Sequence, residues 1–200
     1  RDERVKCSAA IAGSGRDGMT IWHCQVAVSL DGRLARKDGS VEDWLVADYT
    51  PDSTAFAGFL AGVDAILMGR DTFDAIMRMG EWPYPGKPAV VMTHRPLGDD
   101  APEGVEARSG DLGAVVAELE ARGCGRVWIE GGGRIVRDML ALGRLDVLEM
   151  AVIPVVLGEG IPLFPEGTPE TWFELESVRP WVRGAIWVVY RRRDSNGKGG

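Results

Sequence analysis

The chain has 200 residues, 45% hydrophobic and 26% charged, a balance typical of one globular domain with a sizeable core. A formal net charge of -7 argues against nucleic acid or an anionic membrane surface as the main partner, because both favour a basic surface. Three cysteines without a CxxC pair indicate neither a zinc site nor a disulfide scaffold, so we expect no metal and a reducing, cytoplasmic location.

Short apolar runs alternate with amphipathic stretches through the middle of the chain, which is typical of an α/β sheet. No apolar run approaches the roughly 20 residues that cross a bilayer, so no membrane span is expected. In chain order we predict strand 21–30, helix 51–61, strand 63–68, helix 72–78, strand 87–93, helix 112–122, strand 126–129, helix 134–141, and strands 145–158, 172–178 and 185–191.

The end of the chain determines the type of sheet. No helical pattern separates strands 172–178 and 185–191, which indicates an antiparallel pair. We therefore predict a mixed, mostly parallel sheet flanked by helices, with an antiparallel C-terminal edge. It forms a single domain over residues 19–193, between two segments predicted to be flexible, 1–18 and 194–200.

Ligands of open α/β sheets bind at the carboxyl ends of strands, and three predicted strand ends carry suitable residues. Gly131, Gly132 and Gly133 separate an apolar strand from a helix, so a ligand can approach the backbone closely and an anion can bind at the helix N-terminus. The sequence also allows a simpler interpretation, a tight strand-to-helix turn without a ligand.

The other two strand ends pair a guanidinium with a hydroxyl group. Gly69, Arg70 and Thr72 follow one buried strand, and Thr93 and Arg95 follow the next. Either set alone is equally typical of a surface arginine beside a helix cap. Together with the glycines they favour an extended ligand with several phosphates.

Three motifs carry a resemblance to a known family: VAVSLDGRLA at 26–35, MGRDTF at 68–73 and the glycines at 131–133. In this order and spacing they resemble the dihydrofolate reductase superfamily over residues 21–191. The closest branch is the reductase domain of the bifunctional riboflavin-biosynthesis deaminase-reductase. The resemblance implies an eight-stranded sheet of this type and NADPH as the hydride donor.

The resemblance also implies roles for individual residues. The nicotinamide carboxamide would be held by Ala27 and Leu34, the phosphates by Gly69, Arg70, Thr72, Gly131, Gly132 and Gly133, and the adenosine 2′-phosphate by Thr93 and Arg95. A guanidinium matches a phosphate bidentately, so Arg95 favours NADPH over NADH.

The substrate is expected on the neighbouring loops. The candidate contacts are Ser29, Asp31, Trp44, Leu157 and Gly158, with Trp44 able to stack on a flat ring. The superfamily anchors its substrate with an acidic residue, for which Asp48 and Asp52 are both candidates. The proton for the reduced group is expected from Asp48, Asp52 or bound water. Each aspartate is equally compatible with a solvated carboxylate, and Asp52 with a helix cap.

The chain lacks the HxE…PCxxC signature of the zinc deaminases, so only the reduction is expected. The hypothesis is hydride transfer to a C=N or C=O group of a small heterocycle, a pterin or a riboflavin precursor such as 5-amino-6-(5-phosphoribosylamino)uracil. The alternatives are a non-catalytic dinucleotide-binding protein and a flavin-dependent or Rossmann-type oxidoreductase. The resemblance and the apolar C-terminal strands also indicate a homodimer.

Overall fold

The computed structural model describes residues 19–46 and 53–193. Its strands are β1 Ile21–Ser29, β2 Arg33–Ala35, β3 Ala65–Gly69, β4 Ala89–Met92, β5 Val105–Arg108, β6 Arg126–Gly131, β7 Val147–Ile153, β8 Ile161–Pro162, β9 Phe173–Pro180 and β10 Ile186–Arg192. Its helices are α1 Ser53–Ala61, α2 Arg70–Met79, α3 Leu112–Ala121 and α4 Gly133–Ala141, with a short π-helical turn at Glu42–Val46 and a 3-10 turn at Val182–Gly184.

Eight strands form one sheet in the order β5-β4-β3-β6-β1-β7-β10-β9. The neighbours from β5 to β7 pair in parallel, whereas β10 runs antiparallel to both β7 and β9. The predicted fold class, an eight-stranded and mostly parallel sheet with an antiparallel C-terminal edge, is confirmed. The two remaining strands, β2 and β8, form a small separate ribbon.

Several element boundaries differ from the prediction. The strand predicted over 145–158 ends at Ile153, and the chain then leaves the sheet to form β8. β5 was not predicted because it is a partly exposed edge strand, Val-Glu-Ala-Arg, without an apolar run. α2 begins two residues early, at Arg70, because Gly69 ends the strand in an extended conformation and directly precedes the first helical residue.

Alternate side chains of the strands pack on opposite faces of the sheet. Leu67 and Ile129 lie on the face covered by α3 and α4. Ile66 and Trp128 lie on the other face, where α1 and α2 supply aromatic and aliphatic side chains. In the described part of the chain, none of the helices is long and apolar enough to span a membrane.

Candidate active site

Five strand ends meet along one edge of the sheet. β4, β3, β6, β1 and β7 are successive neighbours and run in the same direction, so the residues that follow them lie side by side. This arrangement brings together the three strand ends that the sequence singled out, and it adds the loops after β1 and β7.

The sheet opens between β1 and β6 toward this edge. β1 pairs with β6 only from Ile21 to Cys24, whereas its pairing with β7 continues to Ser29. Beyond Ile129, β6 therefore separates from β1, and a register shift against β3 leaves Glu130 without a cross-strand partner in the described sheet. Bulges of this kind are common beside active sites, because they redirect a side chain.

The glycine turn after β6 has a specific backbone requirement. Gly131 has a φ of 121°, which L side chains rarely adopt, and the Gly131-Gly132 peptide bond is cis. A Cβ atom on Gly131 would meet no atom within 4 Å, so backbone conformation and not crowding requires glycine there. The space beside the Cα atom of Gly131 is accordingly free of protein atoms, although the residue itself is buried.

The turns after β3 and β6 are in contact. A Cβ atom on Gly132 would lie 3.4 Å from Oγ1 of Thr72, and one on Gly69 would lie 4.0 Å from the carbonyl oxygen of Gly131. Helices α2 and α4 both begin here without a side-chain cap, so free backbone N–H groups of two helix N-termini face the same region. Such groups favour the binding of phosphate.

Gly133 has a different reason to be glycine. A Cβ atom there would lie 2.2 Å from the carbonyl oxygen of Pro162 and 3.1 Å from that of Leu163. The third glycine of the run therefore allows the β8 segment to pack against the start of α4. Its predicted contact with pyrophosphate stays a prediction.

The two predicted phosphate-binding arginines are connected through Asp74, which the sequence analysis did not select. Nε of Arg70 donates to Asp74 at 2.7 Å, and its Nη1 donates to the carbonyl oxygen of Pro96 at 2.8 Å. Nη2 of Arg95 lies 3.5 Å from the same aspartate, but the Arg95 side chain is 64% exposed. Arg70 thus shapes the turn after β4, while Arg95 presents its charge to solvent. Thr93 Oγ1 accepts from the backbone N–H of Arg95 at 3.0 Å.

Four predicted substrate residues come together in the loops after β1 and β7, where they bind one another. The Asp31 carboxylate accepts from the Ser29 hydroxyl at 2.7 Å and from the backbone N–H groups of Leu157 and Gly158 at 3.0 and 2.9 Å. The hydrogen bond from Ser29 and the one from Leu157 lower the pKa of Asp31 to about 2. Asp31 is therefore an ionised structural acceptor at neutral pH.

Trp44 lines the same region from the π-helical turn. It is 7% exposed and packs in a cluster with Ile153, with Ala27 and Leu157 against it. Its indole Nε1 is buried and has no hydrogen-bond partner in the described residues. Leu34 packs against the core on the other face of the sheet. Asp48 and Asp52 lie outside the described residues, as do the predicted flexible segments 1–18 and 194–200.

Glu130 is the functional candidate that the sequence analysis missed. It lies at the bulge where β6 separates from β1, directly before Gly131. The Tyr84 hydroxyl donates to its Oε1 at 3.1 Å, while its Oε2 is buried without a partner in the described chain. Burial raises the pKa of Glu130 to about 8, although the hydrogen bond from Tyr84 lowers it. The signal was present in the sequence as one acidic residue between the apolar run Val127–Ile129 and the glycines.

Tyr84, the hydrogen-bond partner of Glu130, belongs to an aromatic cluster on one face of the sheet. The ring of Trp128 lies 5.1 Å from that of Tyr84, 6.0 Å from that of Phe56 and 5.3 Å from that of Phe59, all near edge-on. Phe56 and Phe59 come from α1, and Tyr84 from the loop before β4. Burial of the Glu130 carboxyl group away from water disfavours its charged form. At neutral pH Glu130 is therefore mainly protonated and is able to donate a hydrogen bond.

Over residues 19–46 and 53–193, no group of three or more His, Cys, Asp or Glu side chains is arranged to hold a metal ion. The chemistry that the described site offers is a protonated carboxyl group beside an open glycine turn and two helix N-termini.

Two curated proteins and two solved structures illustrate what the chain is similar to. The uncharacterized protein YwjB of Bacillus subtilis (strain 168) is 35% identical over 168 residues, which cover 84% of this chain and 95% of YwjB. The dihydrofolate reductase HdrB of Haloferax volcanii is 29% identical over 187 residues, which cover 92% and 90% of the two chains.

The fold is shared with solved structures of two kinds. A putative riboflavin biosynthesis protein from Shewanella sp. PV-4 has a TM-score of 0.75 and 29% identity, with coverage of 88% of this chain and 99% of that one. A dihydrofolate reductase from Enterococcus faecalis, complexed with NADP(H) and RAB-propyl, has a TM-score of 0.63 and 22% identity, with coverage of 87% of this chain and 97% of that one. The family model described as the RibD C-terminal domain matches residues 22–187, and the chain therefore belongs to the RibD C-terminal domain family.

Proposed function

We propose that this protein is an NADPH-dependent reductase of a small heterocyclic metabolite, with Glu130 as the proton donor. The observation that carries the proposal is the carboxyl group of Glu130, whose Oε2 is buried without a partner in the described residues. It lies where β1 and β6 separate, directly before the glycine turn. A general acid works best when its pKa lies near the operating pH, and a value of about 8 meets this condition.

The residues present fit a dinucleotide phosphate cofactor. The adjacent N-termini of α2 and α4 offer backbone donors for phosphate, and Gly131 leaves space beside them. Arg95 adds an exposed guanidinium at the next strand end, which suits an additional phosphate such as that of NADPH. The Enterococcus faecalis enzyme of the same fold was solved with NADP(H), which supports this choice.

When bound, NADPH supplies a hydride to an electrophilic carbon of a C=N or C=O group. Oε2 of Glu130 then donates its proton to the nitrogen or oxygen of that group, and Glu130 is left as a carboxylate. Tyr84 stabilises that carboxylate through its hydrogen bond to Oε1. Proton transfer from water restores the acid. Once the proton has been regained, burial of the carboxyl group favours its protonated form.

The substrate class we propose is a riboflavin precursor of the 5-amino-6-(5-phosphoribosylamino)uracil type or a pterin. Membership of the RibD C-terminal domain family supports the first, and the similarity to HdrB supports the second. Both are flat, polar heterocycles with a reducible group. Trp44 packs beside Ala27, and its buried indole N–H has no partner among the described residues, which suits a polar group of such a ring.

The test is NADPH oxidation, followed by absorbance, against both substrate types, with wild-type protein, Glu130→Gln and the control Glu103→Gln. Glu103 is exposed and lies between β4 and β5, away from the site. We expect turnover of one substrate type by the wild type and the control and a large loss in Glu130→Gln. Binding of NADPH without oxidation of any substrate would instead favour the dinucleotide-binding alternative. A preference for NADH or a bound flavin would favour the other oxidoreductase classes.

We also propose that the protein is a homodimer formed through its C-terminal strands. Leu175 and Val178 of the edge strand β9 are 56% and 55% exposed, and Ile186 of β10 is 44% exposed. An exposed apolar strand at a sheet edge favours association with another chain. Light scattering at micromolar concentration should give the dimer mass for the wild type and the monomer mass for Val178→Asp.

A further inference from the structure

We propose that Asp31 is a positioning residue, whose carboxylate holds the backbone at Leu157 and Gly158 against the end of β1. Through this connection it fixes the position of the Leu157 side chain beside Trp44 and Ala27. The inference rests on the proposed reductase function, because the surface that it positions is the one assigned to the substrate and the nicotinamide. It differs from the sequence-based expectation that Asp31 contacts the substrate itself.

Both oxygens of the Asp31 carboxylate are occupied within the protein. Oδ1 accepts from the Ser29 hydroxyl at 2.7 Å and from the Leu157 N–H at 3.0 Å. Oδ2 accepts from the Gly158 N–H at 2.9 Å and lies 3.5 Å from Nε of Arg33. A carboxylate has about four acceptor positions, so this set leaves little capacity for a ligand.

The hydroxyl of Ser29 connects the same group to the following strand. It donates to Asp31 and accepts from the backbone N–H of Arg33 at 2.9 Å. The turn between β1 and β2 is thus held in one conformation while its aspartate binds a segment that lies 126 residues further along the chain. Local turn formation alone does not require that second connection.

Backbone contacts fix the segment on either side of Leu157 and Gly158. The N–H of Leu30 donates to the carbonyl oxygen of Val155 at 2.8 Å, and the N–H of Leu163 donates to that of Gly32 at 2.9 Å. Between these two points, the Asp31 carboxylate is the side chain that binds the backbone N–H groups of Leu157 and Gly158. Further along the loop, Glu159 pairs with the exposed Lys37 at 2.6 Å and β8 pairs with β2. Removal of the Asp31 carboxylate therefore releases a short stretch centred on Leu157, while the ends of the loop stay attached.

Leu157 is the residue through which this release reaches the site. Its side chain packs against the cluster of Trp44 and Ile153, which Ala27 also contacts. Ala27 lies in the part of β1 that has separated from β6 and pairs only with β7 in the described sheet. Displacement of Leu157 therefore alters the distance between the reacting carbons, on which the rate of hydride transfer depends steeply.

The experiment compares the full-length wild-type protein with Asp31→Ala, Asp31→Asn and the control Asp38→Asn. Asp38 also accepts from a serine hydroxyl and a backbone N–H, both of Ser40, but connects no second loop. Hydrogen exchange at the amides of Leu157 and Gly158, measured without ligands, reports the connection directly. Steady-state NADPH oxidation reports its effect on turnover.

We expect fast exchange at both amides in Asp31→Ala and at one of them in Asp31→Asn, because the asparagine amide retains one acceptor oxygen. We also expect kcat to fall roughly 10- to 100-fold in Asp31→Ala, with little change in the KM for NADPH and an intermediate kcat in Asp31→Asn. The control should match the wild type in both measurements. A purely structural role would lower thermal stability and leave kcat per folded molecule unchanged.

Two results would overturn the inference. One is continued protection of Leu157 and Gly158 in Asp31→Ala, and the other is a loss confined to the KM for the substrate, which would indicate direct contact with it. If the wild-type protein fails to oxidise NADPH with every substrate tested, the proposed reductase function fails. The exchange measurement then still decides whether Asp31 holds the loop. If Asp31→Ala does not fold, the same two criteria apply to Asp31→Asn.

Discussion

Replacing Glu130 by glutamine tests the central feature of the site, a carboxyl group that stays protonated in the folded protein. Glutamine has nearly the same shape and can accept the hydrogen bond that Tyr84 donates to Oε1. It has no ionisable proton. The substitution therefore removes both the titration of residue 130 and its ability to donate a proton to a substrate.

The first consequence concerns stability. The pKa of Glu130 rises from 4.5, its ordinary value, to about 8 in the folded protein. Between these pH values the unfolded chain has lost the proton while the folded chain retains it, so stability falls as pH rises. Relative to its value below pH 4.5, the free energy of unfolding of the wild type should fall by up to about 5 kcal/mol by pH 8. Glu130→Gln lacks this dependence, so its stability relative to the wild type should increase with pH.

The second consequence concerns activity. The proposed general acid must be protonated, so the kcat/KM of the wild type should fall as pH rises through about 8. Glu130→Gln should lose roughly 10²- to 10⁴-fold in kcat, the usual contribution of a general acid, and this basic limb should disappear. The changed pH dependence of stability and the loss of kcat should both result from this one substitution. Their joint appearance is therefore specific for a protonated Glu130.

The assays are denaturant unfolding at intervals between pH 4.5 and pH 8 and the pH profile of NADPH oxidation, for the wild type, Glu130→Gln and Glu103→Gln. Equal pH slopes of stability in the wild type and Glu130→Gln would show that Glu130 ionises normally in the folded protein. Unchanged turnover in Glu130→Gln would show that the proton comes from elsewhere. Either result would refute the role given to this residue.

Three further substitutions test other parts of the site. Tyr84→Phe removes a hydrogen bond that lowers the pKa of Glu130, so the basic limb of the kcat/KM profile should move to higher pH; a move to lower pH would contradict this. Arg95→Gln should raise the KM for NADPH roughly 10- to 100-fold and leave that for NADH unchanged, because a charge-assisted contact to phosphate is lost; equal effects on both cofactors would exclude contact with the 2′-phosphate. Gly133→Ala should destabilise the protein by about 1–3 kcal/mol in thermal unfolding, because its Cβ meets the carbonyl oxygen of Pro162, whereas Gly58→Ala, with open space around it, should be neutral or slightly stabilising.

The fold was predictable because its signals are local. Alternation of apolar runs and amphipathic stretches identifies strands and helices one segment at a time, and the lack of a helix before β10 identifies the antiparallel edge. Elements without such a signal were missed. β5 has alternating charges, while β2 and β8 are three and two residues long and are held together by their mutual pairing.

The candidate site was predictable only in part, because its decisive properties arise between distant segments. The glycine turn and the arginines were found as motifs after strands. The protonation of Glu130 depends on its burial in the folded chain, and its hydrogen-bond partner Tyr84 lies 46 residues before it in the sequence. The internal role of Asp31 depends on a loop still further away. No local pattern indicates either property.

The separation of β1 from β6 also divides the backbone hydrogen bonding of the sheet into two halves. β1, β7, β10 and β9 form one continuously bonded half, and β5, β4, β3 and β6 form the other. Backbone hydrogen bonding between the halves is confined to the stretch from Ile21 to Cys24, at the end of the sheet opposite the site. The two halves are thus connected by backbone hydrogen bonds at one end and separated at the other. A molecule that contacts both Ala27 and Gly131 bridges the separated end and restrains the two halves against each other. Ligand binding is therefore expected to stiffen the whole sheet and not only the loops at its edge.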